Sequence, residues 1–152
     1  MANVYSVAQT NMAKGTLDVD TGGATLKCRV ITDAQAVSFD EADATMTDVM
    51  ANGGSALTAT AETDITLTSQ AATQVTNGVD LKANKVTYSA VGAGETWAAA
   101  IIYDATTDTN DGTRIPIAHI DFTADLPTSG VDMEVRWSGT DGVGIYATSR
   151  NA

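Results

Sequence analysis

A single cysteine, Cys28, stands in the sequence, which excludes an intrachain disulfide and a cysteine-built zinc site. It lies in "TLKCRVI", in phase with Leu26 and Val30 and flanked by Lys27 and Arg29. That setting predicts a small buried core residue rather than a reactive thiol. Positive charge is scarce: 8 Lys and Arg against 19 Asp and Glu give a net charge of -11. A phosphate backbone repels such a surface, so nucleic acid is a poor partner. Aromatic residues are few (2 Trp, 4 Tyr and 2 Phe), and no aromatic and basic stripe is available to stack single-stranded bases. The longest apolar run, "WAAAII", is far too short to span a bilayer, so no membrane partner is expected. The N-terminus "MANVYSVAQTNMAKG" has no early basic residue and no long apolar stretch, its first lysine being Lys14, so synthesis in a cytoplasm is expected.

What is present reads as β structure. The 152 residues are 43% hydrophobic, enough for one domain with a sizeable core. "TLKCRVI", "DITLT", "GVDLK" and "KVTY" alternate apolar and polar positions, as half-buried strands do. "TWAAAIIYD" is apolar on both faces, the mark of a central strand. "RIPIAHIDF" is nearly so, but Pro116 cannot donate to a ladder, which places it at an edge or a bulge. In "VDMEVRW", Val131, Met133, Val135 and Trp137 point one way; "SGTDG" then has hairpin-turn composition before "VGIYA". Trp97 and Trp137 read as core. In "SFDEADATMTDVMANGG", Ala42, Met46, Val49 and Met50 fall at helical spacing, with Ser38 or Asp40 to cap the start and Gly53 the end. The expectation is therefore a mainly β, compact antiparallel sandwich or barrel-like domain over 14–152. It has an extended N-terminal arm over 1–13 and room for one short helix over about 40–52.

Candidate chemistry is thin. "YDATTDTNDGTRIPIAHIDF" places an acidic loop before the chain's one histidine. An EF-hand loop started at Asp108 puts Asn110 third, but Gly112 fifth and His119 twelfth, so the pattern fails. An irregular calcium site on Asp104, Asp108 and Asp111 is the alternative to a solvated hairpin loop shaped by Asp, Asn and Gly, and the loop is the reading preferred. His119 has no nucleophile elbow to serve and sits in phase with Ile115 and Ile117, as a structural strand histidine does. Asp18 and Asp20 share a face of "LDVDTGG", a carboxylate pair that also reads as a strand entering a turn. "GAGETW" lacks the following helix that a phosphate loop needs. No catalytic residue, cofactor or metal site is assigned, and the chain is expected not to be an enzyme.

The order of segments resembles a family of small tailed-bacteriophage structural proteins. Gly15, Thr16, Leu17, Asp18 and Asp20 match its opening segment, followed by Thr25, Leu26, Lys27 and the apolar positions through Thr32. Met46, Asp48 and Val49 fit its acidic segment loosely. "KVTYSAVGAGETWAAAIIYDATTD" is similar to its next stretch, with Tyr88 in the usual aromatic place. Pro116, Ile117, Ala118, Ile120, Asp121 and Phe122 match a later one, and Gly130, Val135, Trp137, Gly144 and Ile145 the last. The chain departs from the family in its Thr- and Ala-rich region 50–80 and its long loop 104–113. The resemblance implies a non-enzymatic virion protein made in the host cytoplasm: a capsid decoration (cement) protein on the exterior of the mature head. Its partners would be the major capsid protein and further copies of itself, a trimer being favoured. A head-fibre, neck or tail component and a carbohydrate-binding adsorption module are the alternatives. In the N-terminal arm, Val4, Tyr5, Val7 and Met12 are the expected partner-binding residues, adding a strand to a neighbour's sheet. Deleting residues 2–12 is expected to leave the domain folded but to weaken its attachment.

Overall fold

Two of the apolar runs, "TWAAAIIYD" and "RIPIAHIDF", pair inside the largest sheet, and the other described elements are arranged around them. The computed structural model describes residues 3–20, 22–32, 39–51, 64–75, 78–106, 110–136 and 146–147. In chain order the elements are β1 (Asn3–Val4), α1 (Ser6–Ala13), β2 (Leu26–Thr32), α2 (Met46–Ala51), β3 (Ile65–Thr66), β4 (Ala71–Val75) and β5 (Gly78–Lys82). There follow β6 (Val86–Tyr88), β7 (Thr96–Asp104), β8 (Ile115–Pro127), β9 (Met133–Val135) and β10 (Tyr146–Ala147). The chain is mainly β and its strand pairs are antiparallel. The largest sheet runs β1-β8-β7-β2-β3; a second runs β10-β5-β4 and a third pairs β6 with β9. Neither helix is long enough to cross a membrane.

The large sheet is covered on both faces, which is why β7 is apolar on both; β2 is apolar on one face and carries Arg29 and Ile31, both buried, on the other. One face contributes Leu26, Cys28, Val30, Ala100 and Ile102 to a cluster with Leu81, Val86, Tyr88 and Val135 from the smaller sheets. The other contributes Ile31, Ile101 and Tyr103 to a second cluster with Met46 and Val49 of α2 and Tyr5. Trp97 should share the face of Ile101 by alternation, yet it packs in the first cluster. The register slips beside it against both β2 and β8, and the bulge turns its side chain over. There its ring meets Tyr88 edge-on at 5.1 Å.

Pro116 stands where a bulge was expected: the β7–β8 register shifts between Ile102 and Tyr103, so Ile102 faces Ala118 and Tyr103 faces Pro116. The helix is shorter than 40–52, and its start is not capped by Asp40, which instead accepts from the Ala42 N–H. Thr45 and Asp48 form a reciprocal capping box: the Thr45 hydroxyl accepts from the Asp48 N–H at 3.2 Å, and the Asp48 carboxylate accepts from the Thr45 N–H at 3.0 Å. Ser38, Gly53 and Trp137 lie outside the described residues.

Two expectations are corrected. β9 and β10 do not form a hairpin: β9 pairs with β6 and β10 with β5. The β6–β9 pairing sets Val86 opposite Val135, both buried, so core burial decides the partner rather than nearness in sequence. The N-terminal segment is not an extended arm. After two strand residues on the edge of β8 it forms α1, with Tyr5 and Ala8 fully buried in the chain's own cores. Burying a tyrosine and an alanine in the same chain outweighs the freedom of a loose tail.

Candidate functional site

Charged side chains gather at the helix-covered face of the sheet. Arg29, on β2, is nearly buried, and its guanidinium spans two carboxylates. Nε and Nη2 donate to Asp64 at 2.8 to 3.1 Å, and Nη1 donates to Asp111 at 2.6 Å. Arg114 donates to the same Asp111 at 2.8 Å, and the Tyr103 hydroxyl donates to Asp64 at 2.6 Å. Both guanidinium groups lie against the Tyr103 ring, at 5.3 and 5.2 Å. Burial opposes the charge on Arg29, but the bonds to Asp64 and Asp111 outweigh it and hold the group cationic. Burial likewise opposes charge on Asp111, and the two arginines overcome it and hold the carboxyl below its ordinary range.

This network changes the reading of the hairpin loop. The Asp111 and Arg114 carbonyls accept the first N–H groups of α2, from Thr47 and Met46, each at 2.9 Å. The second half of the loop, exposed at Asn110, Gly112 and Thr113 as expected, also clamps α2 to the sheet. Asp104 is occupied at the turn, accepting from the Thr106 N–H at 2.8 Å, and Asp108 lies outside the described residues. Among the described residues no group of three His, Cys, Asp or Glu side chains is placed to hold a metal ion. Asp18 and Asp20 also serve local geometry. Asp18 accepts from the Asp20 N–H at 3.0 Å, and Asp20 accepts from the Ala72 N–H at 3.3 Å. A Cβ on Gly23 would run into the Asp18 carbonyl, so glycine is required at that turn.

The four residues expected to bind a partner are gathered onto the chain itself. Val4 and Met12 pack against the first cluster, Val7 against the second, and Tyr5 is inside the second. Asn3 and Val4 pair with His119 and Ala118 on β8. The strand addition expected in a neighbour is therefore made within the chain. His119 is 2% exposed, and Phe39 bridges it to Tyr5, with ring centroids 5.8 and 5.0 Å away. Neither His119 ring nitrogen nor the Tyr5 hydroxyl has a hydrogen-bond partner among the described residues. Burial lowers the His119 pKa, partly offset by Asp121, and favours the neutral ring. Cys28 is fully buried; burial pushes its thiol up to about 12, and Tyr88 donates to its carbonyl at 2.9 Å.

One surface feature escaped the sequence reading. Leu126 and Val131 are the exposed large hydrophobic residues among those described, 37% and 57% accessible, and they lie five positions apart. The signal was present in "AVGAGE" and "LPTSGV", two uncharged stretches save for Glu95, which the fold brings side by side. No family model, curated protein or solved structure matches this chain.

Proposed function

We propose that this chain is a non-enzymatic structural protein of a tailed-bacteriophage virion, a decoration protein that binds the outer surface of the mature head and stabilises it. The observation that carries the reading is the ordered series of motifs from Gly15 to Ile145, in particular "IPIAHIDF" following "KVTYSAVGAGETWAAAIIYD". The geometry agrees with such a role. The charged groups of the helix-covered face are consumed in structural pairs, and the loop, the helix and the N-terminal segment are all tied to one sheet. A rigid domain that binds only the assembled lattice stabilises it by mass action. Its net charge of -11 keeps it away from packaged DNA.

Counting copies in purified virions against the major capsid protein tests this. A ratio near one per capsid subunit is expected. A handful per particle would move the chain to a vertex, neck or tail, and absence from the particle would end the virion reading.

A further inference from the structure

Residues 91–95 and 126–132 run side by side at one end of the domain. The Val91 N–H donates to the Val131 carbonyl at 3.2 Å, the Gly94 N–H to the Thr128 carbonyl at 3.3 Å, and the Thr128 N–H to the Glu95 carbonyl at 2.8 Å. The Thr128 hydroxyl, buried between them, accepts from the Glu95 N–H at 3.0 Å. The strip is therefore rigidly braced. Along it Gly92, Gly94, Leu126, Pro127 and Val131 are exposed. Exposed apolar side chains on a hydrogen-bonded, pre-ordered backbone bind a partner at little cost in ordering.

The chain segments that form the strip carry one sign of charge. Residues 86–113 and 115–135 contain no Lys or Arg, and the flanking cations Lys85 and Arg136 both bond to Glu134. Glu95 and Asp132 border the strip. One Asp132 oxygen accepts from the Ala90 N–H at 2.8 Å. Glu95 is half-buried, and its Oε2 has no hydrogen-bond partner among the described residues, so its charge is uncompensated beside the strip and attracts a partner's cation. A symmetric contact with a second copy would instead set carboxylate against carboxylate.

We propose that this strip docks a protein surface presenting an apolar side chain flanked by Lys or Arg. Leu126 and Val131 make the desolvated centre, and Glu95 and Asp132 take the flanking cations. The capsid shell as the owner of that surface rests on the decoration reading above; the strip's chemistry does not.

Two experiments separate the claims. The first titrates the 15N-labelled full chain with the peptide acetyl-Lys-Leu-Lys-Leu-Arg-amide. Saturable amide shifts concentrated at Gly92–Gly94 and Ser129–Asp132 are expected. They should weaken at least fivefold in Val131→Asp, and equally when both peptide leucines become serines. Shifts spread over the acidic surface, insensitivity to Val131→Asp, or no saturable binding would overturn the proposal. The second measures binding to purified capsids lacking this protein. Val131→Asp and Glu95→Gln should lose tenfold or more, while Gln9→Glu, on the exposed side of α1, should bind as wild type. Wild-type and Val131→Asp chains binding capsids equally would sink the docking strip and leave decoration standing. The peptide result without any capsid binding would do the reverse.

Discussion

Arg29 and Asp111 stand 82 positions apart in sequence, yet Nη1 of one donates to Oδ2 of the other at 2.6 Å. This bond fastens the β7–β8 loop to the sheet, and the loop in turn accepts the first N–H groups of α2. Among the described residues, removing the arginine leaves Asp64 with only the Tyr103 hydroxyl and Asp111 with only Arg114, so two partly buried carboxylates lose the cation they share. Arg29→Met should therefore destabilise the fold by about 3 kcal/mol, read from the urea midpoint. Asp111→Asn keeps a hydrogen-bonding shape, and the carboxylate is partly solvated, so it should cost about 1 kcal/mol. Equal midpoints for Arg29→Met and wild type would mean the network is ornamental to stability.

The central sheet was legible because its signal is local. "TLKCRVI" carries its burial in its alternation and "TWAAAIIYD" in being apolar on both faces, and Pro116 announces its bulge by lacking an N–H. The Arg29 network was not legible, since Asp64 and Asp111 are assigned to Arg29 only by the fold. α1 was hidden for another reason. "SVAQTNMA" has only Ala8 fully buried and no side-chain cap, so neither apolar periodicity nor capping marks it as a helix. The docking strip was invisible because glycines and small residues look like turn punctuation until two such stretches lie together.

His119 sets the response to mild acid. Its folded pKa lies below the ordinary 6.5 because burial disfavours the charged ring. The unfolded chain therefore binds the proton first, and stability, complete above pH 6.5, falls as the pH drops below it. The Asp121 carboxylate softens the effect. The urea midpoint should be flat from pH 8 to about 7 and decline below, and His119→Phe should remove that decline. A second loss, at lower pH, belongs to Asp111. Its depressed pKa stabilises the fold above the ordinary carboxylate range, and that stability is lost as pH falls from there through the lowered folded pKa. A midpoint insensitive to pH between 7 and 5.5 in the wild type would contradict the burial of a neutral His119.

Cys28 should report global unfolding. It is 0% exposed, and burial pushes the thiol up to about 12, far from the thiolate that reacts with disulfide reagents. Lys27 and Arg29 do not activate it, for Arg29 is engaged across the sheet by Asp64 and Asp111. Labelling of the native chain at pH 8 should proceed no faster than unfolding, and should become immediate in denaturing urea. Rapid stoichiometric labelling of the native chain would show that the first core cluster opens locally.

Tyr5 decides whether the N-terminal segment is an appendage or part of the fold. Its ring is 0% exposed, packed on Phe39 at 5.0 Å, and its N–H donates to the Ile117 carbonyl at 3.1 Å. Its hydroxyl has no partner among the described residues, and burial with Asp43 and Asp40 nearby raises its pKa. These two facts predict opposite outcomes for two substitutions. Tyr5→Ala empties the centre of the second cluster and should cost about 3 kcal/mol. Tyr5→Phe keeps the packing and removes an unsatisfied hydroxyl, so it should be neutral or slightly stabilising. Deleting residues 2–12 should behave like Tyr5→Ala or worse, because it also removes Ala8 and bares the β8 edge at Ala118 and His119. A deletion variant as stable as wild type would restore the free arm, and with it Val4, Tyr5, Val7 and Met12 as residues available to a neighbour.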